Sequence, residues 1–268
     1  MPVPNLGMGL LFTAVLAVSP SPSPRPTPAG DVCGAPRSNL LATLNRPSIG
    51  YSPCAAKPGD IVAEIGYQNG AGDANLAQYP QGFMRFGASP GLELDYVGPA
   101  YAVAGAGRMR GYYDSGLGAK FEWWHDGGRA LATDFLYIAP TGASQFTAGA
   151  PIATVNVDYT MPLSSVFSIG STIGVQSDYA PSFDGHRGRF FTALPSIVLT
   201  DGWNPRAQAF IEAFSQTRLR PDGGALFGLD AAMQYLVSPS LEADVEAGRT
   251  ITDVNRQHYV GFGFGVRF

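Results

Sequence analysis

Charge is scarce in this chain: Lys and Arg number 17 and Asp and Glu 21 among 268 residues, 14% in all, where an ordinary soluble domain carries roughly 25%. The net charge is -4 and no block of basic residues occurs, which sets nucleic acid aside as a partner. Long apolar runs are missing too. Beyond the first twenty residues no uninterrupted stretch of about 18 apolar positions occurs, so no transmembrane helix is available. Cysteine and histidine are nearly absent, with 2 and 3 copies. A metal centre or cofactor-dependent chemistry has little to work with, and none is expected. Glycine is the excess, at 34 residues.

The start of the chain reads as a targeting segment. Residues 6–18, LGMGLLFTAVLAV, have the length of a secretory apolar core, and the Ser/Pro-rich SPSPSPRPTPAG that follows cannot continue a helix. No Lys or Arg precedes that core, a departure from the usual basic n-region. Cys33 and Cys54 follow, and in an exported chain they most simply pair. GDVC around Cys33 lacks the small and apolar residues of a lipid-attachment box. The expected layout is a signal peptide and Pro-rich segment over 1–30, a periplasmic N-terminal segment with a Cys33–Cys54 disulfide over 31–59, and a barrel over 60–268. SNLLATLNRP, beginning at Ser38, is a short capped apolar stretch, open to two readings: a periplasmic helix or an inward plug.

From residue 60 onward the pattern has period two. In GLGAKFEWW, Leu117, Ala119, Phe121 and Trp123 share one face, while Gly116, Gly118, Lys120 and Glu122 share the other. About twelve such strands are expected, near 60–68, 76–87, 91–97, 112–124, 129–139, 150–161, 164–178, 187–200, 205–217, 224–237, 241–250 and 257–268. Alternate connections are short (88–91, 125–128, 161–163, 201–205, 238–240), and most others are long (98–110, 140–149, 177–187, 217–224). Short turns at one end and long loops at the other is the asymmetry of an outer-membrane barrel. In hydrocarbon every backbone polar group must be paired internally, so the expected fold is all-β: a closed, antiparallel, up-and-down transmembrane barrel. Trp123, Trp203, Tyr235 and Phe268 would form an aromatic girdle at the short-turn end, and Tyr67, Tyr113 and Tyr137 one at the other. In the closing VGFGFGVRF, Val260, Phe262, Phe264, Val266 and Phe268 would face lipid, and Gly261, Gly263, Gly265 and Arg267 the interior. Phe264, Val266 and Phe268 resemble the C-terminal sorting signal read by the barrel assembly machinery.

Several stretches resemble the outer-membrane transporters grouped as the "MetA-pathway of phenol degradation" family. They are Glu212 in a strand, Gly228 and Asp230 in the next, the SPSLEADVEAG hairpin, the closing GFGFGVRF, DSGLGAKFEWW, and the segment between the cysteines. The resemblance implies a transporter or porin-like barrel of a Gram-negative outer membrane. It implies no particular solute, and the phenol of the name is not carried over.

By parity the lumen would be lined by Glu64, Arg85, Glu93, Asp95, Lys120, Glu122, Asp134, Asp158, Glu212, Asp230, Glu242, Asp244, Glu246 and Arg267. Carboxylates outnumber cations among them. Two consequences stand side by side: a water-filled path biased toward cations, or a salt-bridged filling of a narrow barrel. The expected function is passive passage of small solutes, cation- or small-hydrophobic-selective. The first alternative is a closed surface barrel whose loops hold lipopolysaccharide or a partner through Arg108 and Arg110. The second is a lipid-modifying enzyme using His258, which parity points outward. His125 falls in a short turn, His186 in a long loop, and no serine stands two residues from His258, so no enzyme is expected. The barrel reading predicts that the protein fractionates with the outer membrane and migrates faster in a gel before boiling than after; periplasmic material with no heat-dependent shift would overturn it.

Overall fold

The computed structural model describes residues 32–34, 39–72, 75–105, 107–252 and 256–268. The targeting segment and Ser38 lie outside them. One short helix, α1 (Leu40–Thr43), precedes fourteen strands. They are β1 (Ile61–Gly72), β2 (Leu76–Ser89), β3 (Leu92–Val97), β4 (Tyr101–Ala104), β5 (Met109–Tyr112), β6 (Ser115–Asp126), β7 (Arg129–Ala139), β8 (Ile152–Pro162), β9 (Phe167–Pro181), β10 (Arg187–Asn204), β11 (Ala207–Gln216), β12 (Leu226–Ser238), β13 (Leu241–Thr252) and β14 (Arg256–Arg267). β3 and β4 both pair with β2, with Phe83 opposite Val97 and Tyr79 opposite Tyr101, which is one unbroken register. They are therefore one stave interrupted at 98–100, and β5 and β6 are a second stave interrupted at 113–114. The result is an antiparallel barrel of twelve staves, closed because β1 pairs with both β2 and β14. Closure removes every sheet edge, the only way a sheet can lie in hydrocarbon.

The packing inverts that of a soluble domain. Leu117 and Ile173 are 65% and 64% exposed, while Glu64, Arg85, Glu93 and Asp158 are 0% exposed. Alternation produces both faces at once, because successive side chains on a strand point to opposite sides. On β14, Tyr259, Gly261, Gly263, Gly265 and Arg267 are buried inward, whereas Val260, Phe262, Phe264 and Phe268 are exposed and Val266 is half-buried.

The alternation breaks at one informative place. A bulge between Glu122 and Trp124 puts two residues of β6 opposite one interval of β7, so Trp123 and Trp124 both face outward. Trp203, Tyr235 and Phe268 are exposed toward the same end. At the far end Phe262, Tyr67, Tyr79, Tyr101 and Tyr112 form a continuous outward row with ring centroids 5.1 to 6.0 Å apart. Tyr112 takes the place expected for Tyr113. The strand break at 113–114 turns Tyr113 away, against Phe146 at 5.3 Å.

Two further expectations are corrected. Residues 98–110 are not a free loop: β4 and β5 extend the wall as a hairpin, with Tyr101 opposite Tyr112 and Ala104 opposite Met109. His125 is not in a turn but at the end of β6, bonded to Glu122. Of the two readings open for the segment before β1, a periplasmic helix or an inward plug, its contacts are those of the second: residues 40–56 pack on inward-facing residues of the wall. Its helix is capped by Asn39, whose Oδ1 accepts from the N–H of Leu41 at 3.1 Å. Leu40, Leu41 and Leu44 form an apolar cluster with Ala56, Val62 of β1 and Leu236 of β12. The Cys33–Cys54 disulfide is present and packs on Ala130 of β7.

Inward glycines let large side chains lie flat across neighbouring staves. A Cβ on Gly228 would sit 2.0 Å from Cζ of Phe214, and one on Gly118 2.6 Å from Leu136. On Gly82 it would meet nothing within 4 Å. Gly228→Ala is therefore expected to destabilise the barrel by about 1–3 kcal/mol through overpacking, and Gly82→Ala by less than about 0.5 kcal/mol. Urea unfolding in detergent micelles, followed by tryptophan fluorescence, measures both; equal effects would refute this account of the glycines.

Candidate functional site

The lumen is a contact surface between barrel wall and N-terminal segment. Residues 45–56 have no ladder of their own, so their backbone polar groups need partners from elsewhere. The wall supplies them, with acids under N–H groups and cations under carbonyls. Glu64 of β1 accepts from the N–H of Asn45 at 3.1 Å and from that of Arg46 at 2.6 Å. Glu212 of β11 accepts from the N–H groups of Ile49 and Gly50, each at 2.8 Å, and from the Ser48 hydroxyl at 2.9 Å. Glu122 of β6 accepts from Ala55 N–H at 2.8 Å, and Glu93 of β3 from Ala56 N–H at 2.6 Å. In return Arg85 of β2 donates to the carbonyls of Thr43 and Cys54, and Lys120 of β6 to that of Ser52.

Arg85 joins the two layers. Its Nε is 2.8 Å from Glu93 and its Nη1 3.3 Å from Glu64, with all three side chains fully buried. A guanidinium held by two carboxylates and two carbonyls meets the requirement that a buried charge be both paired and hydrogen-bonded.

Arg46 reaches the opposite wall. Its Nη2 lies 3.2 Å from Asp244 and 3.9 Å from Glu246 of β13, and its Nη1 donates to Gln81 of β2 at 2.8 Å. The guanidinium rests on two bare glycines: a Cβ on Gly66 would fall 2.2 Å from its Cζ, and one on Gly263 2.5 Å from its Nε. Gly265 likewise makes room for Leu44, at 2.6 Å from its would-be Cβ. The glycine face of the last strand is thus the seat of the N-terminal segment. Gln234 of β12 donates to the Arg46 carbonyl at 2.9 Å, completing the hold.

The remaining inward residues form a second tier. Asp158 accepts from Thr172 at 2.7 Å, and Thr172 accepts from Tyr51 N–H at 3.0 Å. Asp134 accepts from Asn156 at 2.9 Å, and Asp230 from the Tyr259 hydroxyl at 2.8 Å. Asp95 and Glu242 are buried beside these groups. Arg267 donates to the Pro239 carbonyl at 3.0 Å and lies 4.0 Å from Asp60, at the short-turn mouth. Burial, reinforced by Asp134 and Asp158, pushes the Tyr51 phenol pKa upward, so it stays neutral.

Nearer the long-loop end Leu136, Ile152, Phe190 and Phe214 are buried on the inner face beside a polar group in which Gln176 accepts from Thr154 and Asp178 accepts from Gln176 and Gln216. Beside the N-terminal segment a cavity of about 490 Å³ is bounded by Arg46, Ile49 and Tyr51 of that segment and, on the wall, by Phe83, Val97 and Tyr113 together with Gln78, Gln81 and Asp114. His258 is exposed on the outer wall, opposite Ala71 and Arg249. Cys33, Glu122 and His125 come within 4.8 Å of one another, but the sulfur of Cys33 is committed to the disulfide.

Sequence parity pointed to the wall groups but not to Arg46, Asn45, Ser48 or Gly50 opposite them. The one usable signal was the row of inward glycines on β14, which marks a surface that something bulky must cover. Arg85→Met removes the guanidinium that Glu64 and Glu93 share, at an expected cost of about 3–5 kcal/mol. The segment should loosen before the barrel does, so chymotrypsin should cut after Tyr51, seen as separate fragments once the disulfide is reduced, on the order of tenfold faster in the variant. Unchanged cleavage would show that Arg85 does not hold the segment.

Residues 44–268 match the family described as "MetA-pathway of phenol degradation". A comparison with curated protein sequences returned no match. Among solved structures, an outer membrane channel from Pseudomonas putida F1 aligns with TM-score 0.63 and 12% identity, covering 80% of this chain and 97% of that one. The NanC porin aligns with TM-score 0.54 and 9% identity over 75% of this chain and 98% of its own. The KdgM porin gives 0.50 and 9% over 76% and 99%. At these identities the likeness is one of fold, and the fold is that of Gram-negative outer-membrane barrels. The chain is an outer-membrane β-barrel, and by its match over residues 44–268 it belongs to the "MetA-pathway of phenol degradation" family.

Proposed function

We propose that this barrel is a porin-like transporter for small solutes, with residues 39–57 as its plug. The observation that carries the reading is a cavity of about 490 Å³ between the wall and the plug. A chamber walled by Phe83, Val97 and Tyr113 together with Gln78, Gln81 and Asp114 adjoins a floor made of the plug itself, which presents Arg46, Ile49 and Tyr51 to it. Small ligand sites are typically apolar clefts with a few placed polar groups. A small solute with both apolar surface and hydrogen-bonding groups is favoured in such a chamber, whereas an open ring of carboxylates would favour cations. Here the carboxylates of Glu64, Glu93, Glu122 and Glu212 are occupied by plug N–H groups, so passage requires the plug to shift.

A second reading, a barrel that stays shut and serves as a surface platform, is favoured by the number of wall groups committed to the plug. Single-channel recording in planar bilayers separates the two. The wild type is expected to open briefly and rarely. Glu212→Ala, which frees the 48–50 loop, should raise the open fraction roughly threefold or more by shifting that equilibrium. A correctly folded variant with wild-type openings would refute plug gating, and silence in both proteins would favour the closed barrel.

A further inference from the structure

The outer face of β10 changes character along its length. Phe191 is 67% exposed and points outward. Arg189 and Arg187, two and four residues nearer the long-loop end, lie on that same face and are exposed. Tyr179 of β9 is directly opposite Arg189. The Arg187 guanidinium sits 5.2 Å from the Tyr179 ring centroid and donates to the Ala148 carbonyl. Arg189 donates from Nη1 to the Pro151 carbonyl at 3.0 Å and to the Ser177 hydroxyl at 2.8 Å. All these partners are neutral.

Among the described residues neither arginine is within ion-pair distance of a carboxylate. The acids of the adjoining loops are turned to loop backbone. Asp184 accepts from His186 N–H at 3.1 Å, and Asp222 from Phe183 N–H at 2.7 Å. Two arginines fixed by neutral partners, without a counter-charge, sit just beyond an exposed phenylalanine on the lipid side of the wall.

We infer that Arg187 and Arg189, backed by Tyr179 and Ser177, form a docking site for the phosphate of a phosphorylated glycolipid in the outer leaflet. Arginine suits this task because its planar fork pairs with phosphate oxygens in two-point fashion and stays charged beside apolar surface. The position suits it as well. Acyl chains lie against Phe191, and a headgroup phosphate at the top of the hydrocarbon falls where the guanidinium groups are, each reaching outward from its stem. The site is independent of the lumen and of whether solutes pass.

Native mass spectrometry of the full chain in detergent micelles tests this with bisphosphorylated lipid A, dephosphorylated lipid A and inorganic phosphate as probes. The wild type should retain bisphosphorylated lipid A on the order of tenfold more tightly than the dephosphorylated form. Arg187→Ala combined with Arg189→Ala should bind both forms equally, while the double lysine variant should keep part of the preference. Both side chains are exposed, and an unchanged heat-dependent gel shift certifies that the variants are folded. Equal retention of the two lipids by the wild type, or an undiminished preference in the double alanine variant, would overturn the assignment. So would inorganic phosphate displacing lipid A completely at equal concentration, since that would mark a small-anion site instead.

Discussion

Backbone without secondary structure cannot be buried in a membrane-spanning cylinder unless other groups pair its N–H and C=O. Residues 45–56 are such backbone, and the interior of this barrel is organised around them. Glu64, Glu93, Glu122 and Glu212 stand beneath amide hydrogens, while Arg85 and Lys120 stand beneath carbonyls. The charged lumen is thus the complement of an irregular peptide. Four of its acids answer the N–H groups of residues 45–46, 49–50 and 55–56, which only acceptors can satisfy, and Asp244 and Glu246 answer the guanidinium of Arg46.

The staves were legible because lipid outside and a polar interior impose strict alternation, and a period-two pattern survives in a single sequence. Both ends of β7, Arg129 and Ala139, coincide with the expected strand. The stretch 98–110 was not legible: Gly98 and Pro99 interrupt the alternation, and only pairing with β2 shows that β4 continues the register of β3. The bulge at Trp123 and the rotation of Tyr113 are invisible for the same reason, since each depends on where a neighbouring stave runs. The plug was open to two readings because its partners are remote in the chain; Ile49 and Glu212 are 163 residues apart. Local spacing carries no record of such a pair.

Glycine acquires a different meaning on each face of this wall. Outward, Gly82 leaves open space. Inward, Gly66 and Gly263 receive the guanidinium of Arg46, and Gly265 receives Leu44. The bare side of VGFGFGVRF is shaped by residues more than two hundred positions earlier. Arg46 touches β1, β2, β13 and β14 together, so the pocket that holds it exists only once the first and last staves have met. Docking of the plug is in this sense a readout of barrel closure.

The disulfide adds a mechanical consequence. Because Cys33 and Cys54 are joined, the chain between them is a covalent ring that cannot pay out into a long strand when it leaves the wall. It can move only as a compact bead on the leash formed by residues 55–60. Six residues extend at most about 20 Å, so the bead stays near the mouth from which it came. In the proposed gating its return would be a search through a small, fixed volume, which would keep its effective concentration at the seat high.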